Sequence, residues 1–144
     1  MNVASILKAK GGRVMTVRPT ETVQNAAAKL RLEGVGALIV SHNGETLDGI
    51  ITERDITKGF AVDGADLTTK HVWDLMQTGV LTCKPQDDIA HVARVMTNRR
   101  LRHMPVTDGT RLVGILSIGD ILKIRLDEVE LEARVMQDMA IAYR

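Results

Sequence analysis

The sequence predicts a mixed α/β (α+β) fold in which one β-α-β-β-α unit occurs twice, and three observations carry that expectation. The stretch Gly49-Ile50-Ile51-Thr52-Glu53-Arg54-Asp55-Ile56 returns as Gly114-Ile115-Leu116-Ser117-Ile118-Gly119-Asp120-Ile121. Upstream of each copy an apolar set at i, i+3, i+4 and i+7 marks an amphipathic helix, Val23, Ala26, Ala27 and Leu30 first, then Ile89, Val92, Ala93 and Met96. Each half also carries two short aliphatic runs joined by a turn dipeptide, Asn43-Gly44 and Asp108-Gly109. A repeat of this kind sets the architecture before any single residue is considered.

Taken in order, Val3 to Ala9 predicts a short helix that stops at Gly11-Gly12. Val14-Met15-Thr16-Val17 reads as a strand closed by Pro19, followed by the first periodic helix, which Gly34 and Gly36 end. Ala37-Leu38-Ile39-Val40 is a buried strand, and Leu47 to Thr52 returns as its hairpin partner. Glu53 to Phe60 is then a helix, and residues 62–70, with Gly64 and two threonines, read as a linker. The second half repeats the order: His71 to Met76 as opening helix, Leu81-Thr82-Cys83 as first strand, then helix, hairpin and helix. Beyond it Leu122, Leu126, Val129, Ala133, Met136, Ala140 and Tyr143 place one apolar stripe on a long C-terminal helix. Packing on its own domain and a subunit contact are the two readings of that stripe. The segments expected are thus 1–13 (N-terminal helix), 14–61 (first unit), 62–70 (linker), 71–125 (second unit) and 126–144 (C-terminal helix).

Composition narrows the function. Nineteen basic against eighteen acidic side chains give a net charge of +1, which calls for neither a polyanion nor an anionic membrane. Aromatics make up 2% of the chain, so base stacking on rings is not its means of grip. The one cysteine, Cys83, excludes an internal disulfide framework and has no neighbouring histidine to make it a nucleophile. His42, His71, His91 and His103 lack metal-ligand spacing, and Lys8-Ala9-Lys10-Gly11-Gly12 lacks the spacing of a P-loop. With no signal-like or membrane-length apolar run, the expected location is the cytoplasm, and no acid–base pair, nucleophile constellation or metal set points to an enzyme.

The doubled unit, with both copies ending in Gly-aliphatic-aliphatic-Thr/Ser-x-x-Asp-aliphatic, resembles the CBS-domain family, above all its stand-alone bacterial pairs. Ile-Leu-Lys-Ala-Lys-Gly-Gly, Glu-Gly-Val-Gly-Ala-Leu, Thr-Glu-Arg-Asp, Arg-His-Met-Pro-Val and Ser-Ile-Gly-Asp carry the likeness, which extends from Val14 to Lys123. It implies one pseudo-two-fold CBS pair (a Bateman module) with flanking N- and C-terminal helices. It further implies two clefts between the halves that take adenosine-containing ligands (AMP, ADP, ATP or NAD, with S-adenosylmethionine ranked behind), no metal, and association into a flat homodimer.

The resemblance assigns roles residue by residue. Asp55 and Asp120 would accept the two vicinal hydroxyls of a ribose, a task suited to a carboxylate. The same Thr52-x-x-Asp55 and Ser117-x-x-Asp120 spacing is also a helix-capping pattern, and the two roles can coexist. The base would lie against Met15, Val35, Gly36 and Ala37 in one half, and Leu81, Leu101, Arg102 and Met104 in the other; plain core packing is the alternative for the aliphatics among them. Phosphates would meet Arg54, Lys58, Arg102 and His103, Arg102 ahead of His103, whereas Arg99 reads as a solvated helix end. Each cleft would pair one half's base contacts with the other half's aspartate: Val35 and Gly36 with Ser117 and Asp120, Leu81 and Leu101 with Thr52 and Asp55. Because Arg54 corresponds to Gly119, the clefts should differ in ligand or affinity. The function implied is a regulatory, signal-transducing module that passes a ligand-driven change to an unidentified protein. The alternative is an interaction or dimerisation module with vestigial clefts, and nucleic acid is disfavoured as a partner.

Overall fold

The computed structural model describes residues 1–11 and 14–143. Its elements run α1 (Val3–Lys10), β1 (Thr16–Val17), α2 (Val23–Glu33), β2 (Ala37–Val40), β3 (Gly49–Thr52) and α3 (Glu53–Asp63), then a 3-10 turn (Gly64–Thr69). They continue with α4 (Val72–Leu75), α5 (Ile89–Arg99), β4 (His103–Asp108), β5 (Arg111–Ser117) and α6 (Ile118–Ala142). In the first half β1 pairs parallel to β2, and β2 antiparallel to β3. In the second, β4 and β5 form the matching hairpin. The registers coincide: Ala37 lies opposite Thr52 as His103 lies opposite Ser117.

Two apolar cores follow from the periodic sets. Val17, Ala26, Leu30, Leu38, Val40, Ile51 and Val72 make one. Val3, Ile6, Cys83, Ile89, Val92, Met96, Met104, Val106, Leu116 and Ile121 make the other. Each core takes its opening helix from the far end of the chain's order. Val3 and Ala4 donate backbone hydrogen bonds to Asp87 and Pro85 (3.0 and 2.8 Å), so α1 closes the second half. Val72 donates to Glu21 (2.8 Å) and Val23 to Lys70 (2.8 Å), so α4 closes the first. This exchange ties the halves together, and the Asn43-Gly44 turn adds to it where Leu112 donates to the Glu45 carbonyl (2.8 Å).

Four elements differ from the sequence expectation. The Leu81–Cys83 strand is reduced to a single bridge from Cys83 to Val106, because Leu81 turns outward and the Pro85 turn follows at once. The strand expected over Val14–Val17 is regular only at Thr16–Val17, and Gly12 of the expected Gly11-Gly12 stop lies outside the described residues. The helix expected over Glu53–Phe60 runs on to Asp63, and the linker is ordered, with buried Leu67 anchoring the 3-10 turn and Lys70 paired with Asp63 at 3.0 Å. Finally α6 passes without a break through position 126, since no glycine or proline follows Gly119 of its first turn.

Candidate functional site

The two repeated stretches form two strand-to-helix junctions of the same design. Thr52 caps α3 by accepting from the Asp55 amide (3.2 Å), and Asp55 accepts in return from the Thr52 amide (2.9 Å). Ser117 and Asp120 repeat this box at α6, at 3.0 and 2.8 Å. The first helical N–H of each junction is taken by the partner strand of its hairpin: Glu53 donates to the Gly36 carbonyl (3.0 Å), Ile118 to that of Arg102 (2.9 Å). The capping role of both aspartates is therefore realised.

What approaches each aspartate from outside its own helix differs. Gln77 Nε2 donates to both oxygens of Asp55, at 2.9 and 3.2 Å. Lys10 Nζ donates to Asp120 Oδ2 at 2.8 Å and to the Ile115 carbonyl at 2.9 Å. Burial pushes the Asp120 carboxyl up, but the Lys10 ammonium and the Ser117 donors outweigh it and hold the group below its ordinary value. A neutral amide thus attends the first carboxylate and a cation the second, an asymmetry beyond the Arg54/Gly119 difference legible in the repeat.

A cleft of about 440 Å³ opens at the first junction and is lined by both halves. Gly36, Ile50, Thr52, Glu53 and Arg54 come from the first half, Arg100, Leu101, Arg102, His103 and Pro105 from the second, and Gln77 to Leu81 run between them. Three arginines stand against one glutamate among the lining residues, a positive excess. His103 stands at the boundary: its ring lies 3.4 Å from where a Cβ on Gly36 would project. Burial lowers its pKa below the usual 6.5, with Asp120 and Glu53 pulling upward and Lys10 and Arg102 downward, so the ring is neutral at pH 7. A second cavity of about 360 Å³, between α2, α3 and the 3-10 turn, is lined by Val23, Ala27, Ile56, Phe60 and Leu67 and has no charged side chain to orient a polar ligand.

Of the residues singled out in the sequence, Gly36, Thr52, Arg54, Leu81, Leu101, Arg102 and His103 meet in this one cleft. Asp55 lies just behind, linked to it through Gln77. Met15 and Val35 pack on the first core, Met104 belongs to the second, and Ala37, 4% exposed, lines neither cavity. Lys58 is exposed on α3 and lines neither cavity; Ser117, Gly119 and Asp120 sit at the other junction. Sequence reasoning missed Gln77, Thr78, Gly79, Val80 and Arg100. The signal was the position of Gln77 just after an opening helix, matched by Lys10 at the end of the first. Burial raises the Cys83 thiol to about 12, with Asp87 adding to the effect, so it is no nucleophile. Among the described residues no cluster of three His, Cys, Asp or Glu side chains could hold a metal, and no helix is long and apolar enough to cross a membrane.

Comparison with known proteins decides the lineage. The CBS domain model matches twice, over residues 10–61 and 72–127. The chain belongs to the CBS-domain family. A CBS-domain protein of Agrobacterium tumefaciens, ATU1752, superposes with a TM-score of 0.83 at 36% identity, covering 87% of this chain and 99% of that one. The CBS domain pair of MJ0100, solved in complex with 5′-methylthioadenosine and S-adenosyl-L-methionine, has a TM-score of 0.78 at 26% identity, covering 89% and 98%. The mitochondrial CBS-domain protein CBSX3 of Arabidopsis thaliana is 31% identical over 134 residues, 88% of this chain, which spans 65% of the length of that relative. Two CBS motifs facing each other account for the exchanged opening helices and for a cleft lined by both halves.

Proposed function

We propose that this CBS pair is a regulatory module that binds an adenosine ligand with an anionic tail, AMP, ATP or NAD, in the cleft between Thr52 and His103. The observation that carries the reading is the convergence of Arg54, Arg100 and Arg102, from both halves, on one cleft whose walls are otherwise Ile50, Val80, Leu81, Leu101 and Pro105. Its volume falls in the range of small-ligand sites, roughly 300–1,000 Å³. The aliphatic wall accepts a flat base without aromatic stacking, and the guanidiniums accept phosphate oxygens in pairs. The ligands named in the MJ0100 complex support an adenosine moiety. The sulfonium of S-adenosylmethionine, however, is a cation, and three guanidiniums disfavour it against a phosphorylated nucleoside.

The output follows from where the contacts come from. A ligand held by both halves stabilises the arrangement that lets both touch it, and only that difference in affinity can shift the protein's shape. The module acts as a homodimer and passes this shift to a regulated protein. Isothermal calorimetry with AMP, ATP, NAD and S-adenosylmethionine tests the reading. Saturable heat with at least one phosphorylated nucleoside is expected, and no heat from any of the four would leave the interaction-module alternative in its place.

A further inference from the structure

We infer that α6 pairs in parallel and in register with α6 of a second copy of this chain, as a short two-stranded coiled coil. From Val129 to Tyr143 every residue is exposed, so the helix leaves the folded body and extends by about 22 Å at 1.5 Å per residue. An isolated helix of this length is marginal in water and needs its apolar face covered to persist. That face is continuous: Leu122, Leu126, Val129, Ala133, Met136, Ala140 and Tyr143 alternate spacings of four and three without a miss, the a/d pattern of a coiled coil. Leu122, Leu126, Val129, Met136 and Tyr143 are 58, 55, 62, 73 and 86% exposed, so nothing among the described residues covers them.

Charge chooses the occupant and the orientation. With Leu126, Ala133 and Ala140 at a, and Val129 and Met136 at d, Arg125 falls at g and Glu130 at the following e. In a parallel pair each Arg125 faces the Glu130 of the other copy, giving two reciprocal ion pairs, and the exposed Arg125–Glu128 contact within the helix (3.3 Å) leaves that guanidinium free to turn. Antiparallel pairing in the register with fullest overlap sets Glu130 against Glu130 and Glu132 against Glu132. The alanines at a let the helices approach closely while Met136 and Tyr143 fill the intervening layers. The stripe starts on the folded body at Leu122, so a parallel pair holds both bodies at one end.

Cysteine cross-linking and mass measurement test this without touching the nucleotide cleft, so its outcome is independent of the proposed ligand. Met136→Cys should form disulfide-linked dimers at least ten times faster than Asp138→Cys, which lies on the opposite side of the helix; the native Cys83 is buried and silent. Val129→Glu combined with Met136→Glu should weaken dimerisation at least a hundredfold by light scattering across a dilution series. Leu131→Glu, off the stripe, should leave the mass unchanged, and circular dichroism should show the body of each variant folded. Equal cross-linking of Met136→Cys and Asp138→Cys, a monomeric wild type, or a double variant that dimerises normally overturns the inference. Cross-linking of Leu126→Cys chains to Met136→Cys chains in place of like pairs overturns the parallel orientation.

Discussion

Alanine in place of Gly49 should be far more damaging than alanine in place of Gly114, although the two glycines open the same repeated stretch. A Cβ on Gly49 would stand 2.4 Å from the Gln77 carbonyl oxygen, which is backbone and cannot rotate away. The clash is relieved only by parting the Ile50–Gln77 pair, two hydrogen bonds of 3.0 and 2.8 Å. Their loss costs about 1–3 kcal/mol in all, and residual overpacking about 1 kcal/mol or more. A Cβ on Gly114 meets only the Leu7 side chain, its Cδ2 at 2.6 Å, and a rotamer change relieves most of that contact for about 1 kcal/mol. Urea denaturation followed by circular dichroism should therefore give about 2–4 kcal/mol for Gly49→Ala and roughly half that or less for Gly114→Ala. In thermal melts the first corresponds to a fall of about 6–12 °C for a chain of this size. Gly49→Ala should also weaken ligand binding, because Gln77 would leave Asp55. Equal losses, or a larger loss for Gly114→Ala, would refute the argument that the first glycine exists to admit the Gln77 backbone.

Lys10→Met should cost about 0.5–1 kcal/mol at pH 7, since the pair with Asp120 is partly exposed. Asp120 is held below its ordinary value, so this contribution is full above the unfolded carboxylate range and disappears as pH falls through the folded value; a wild-type-to-variant gap that does not shrink with acidification would contradict it. His103 is shifted the other way relative to its charged form: its folded value is lowered, so the unfolded chain takes up the proton first. Stability should decline as pH drops through about 6.5, and His103→Gln should flatten that limb; an unchanged slope counts against it. Cys83, buried with its thiol raised to about 12, should react with a thiol reagent at pH 8 at least a hundredfold more slowly than after unfolding, and rapid labelling of the folded chain would show the site to be open.

The doubled fold was legible because two independent periodicities, helical and motif, recurred in the same order. The periodic sets became the two cores, and the Thr52-x-x-Asp55 and Ser117-x-x-Asp120 spacings became capping boxes. Chain order concealed the exchange of opening helices: nothing local in His71 to Met76 says that Val72 packs beside Val17 rather than beside Cys83. The lining of the cleft was legible where the repeat or the family likeness marked it, as with Arg54 and Arg102. Gln77 escaped notice because its role depends on a backbone bridge to Ile50 that no spacing encodes. Met104, read as a ligand contact by homologous position, is buried in the second core while its strand neighbours His103 and Pro105 line the cleft.

Calorimetric titration of ATP into the wild-type chain and into Arg102→Ala tests the central claim most directly. The account predicts saturable binding to the wild type and affinity lower by about ten- to a hundredfold in the variant, the loss of one charge-assisted hydrogen-bonded contact worth about 1.5–3 kcal/mol. Binding that is unaltered by the loss of Arg102 would place the ligand outside this cleft and contradict the account.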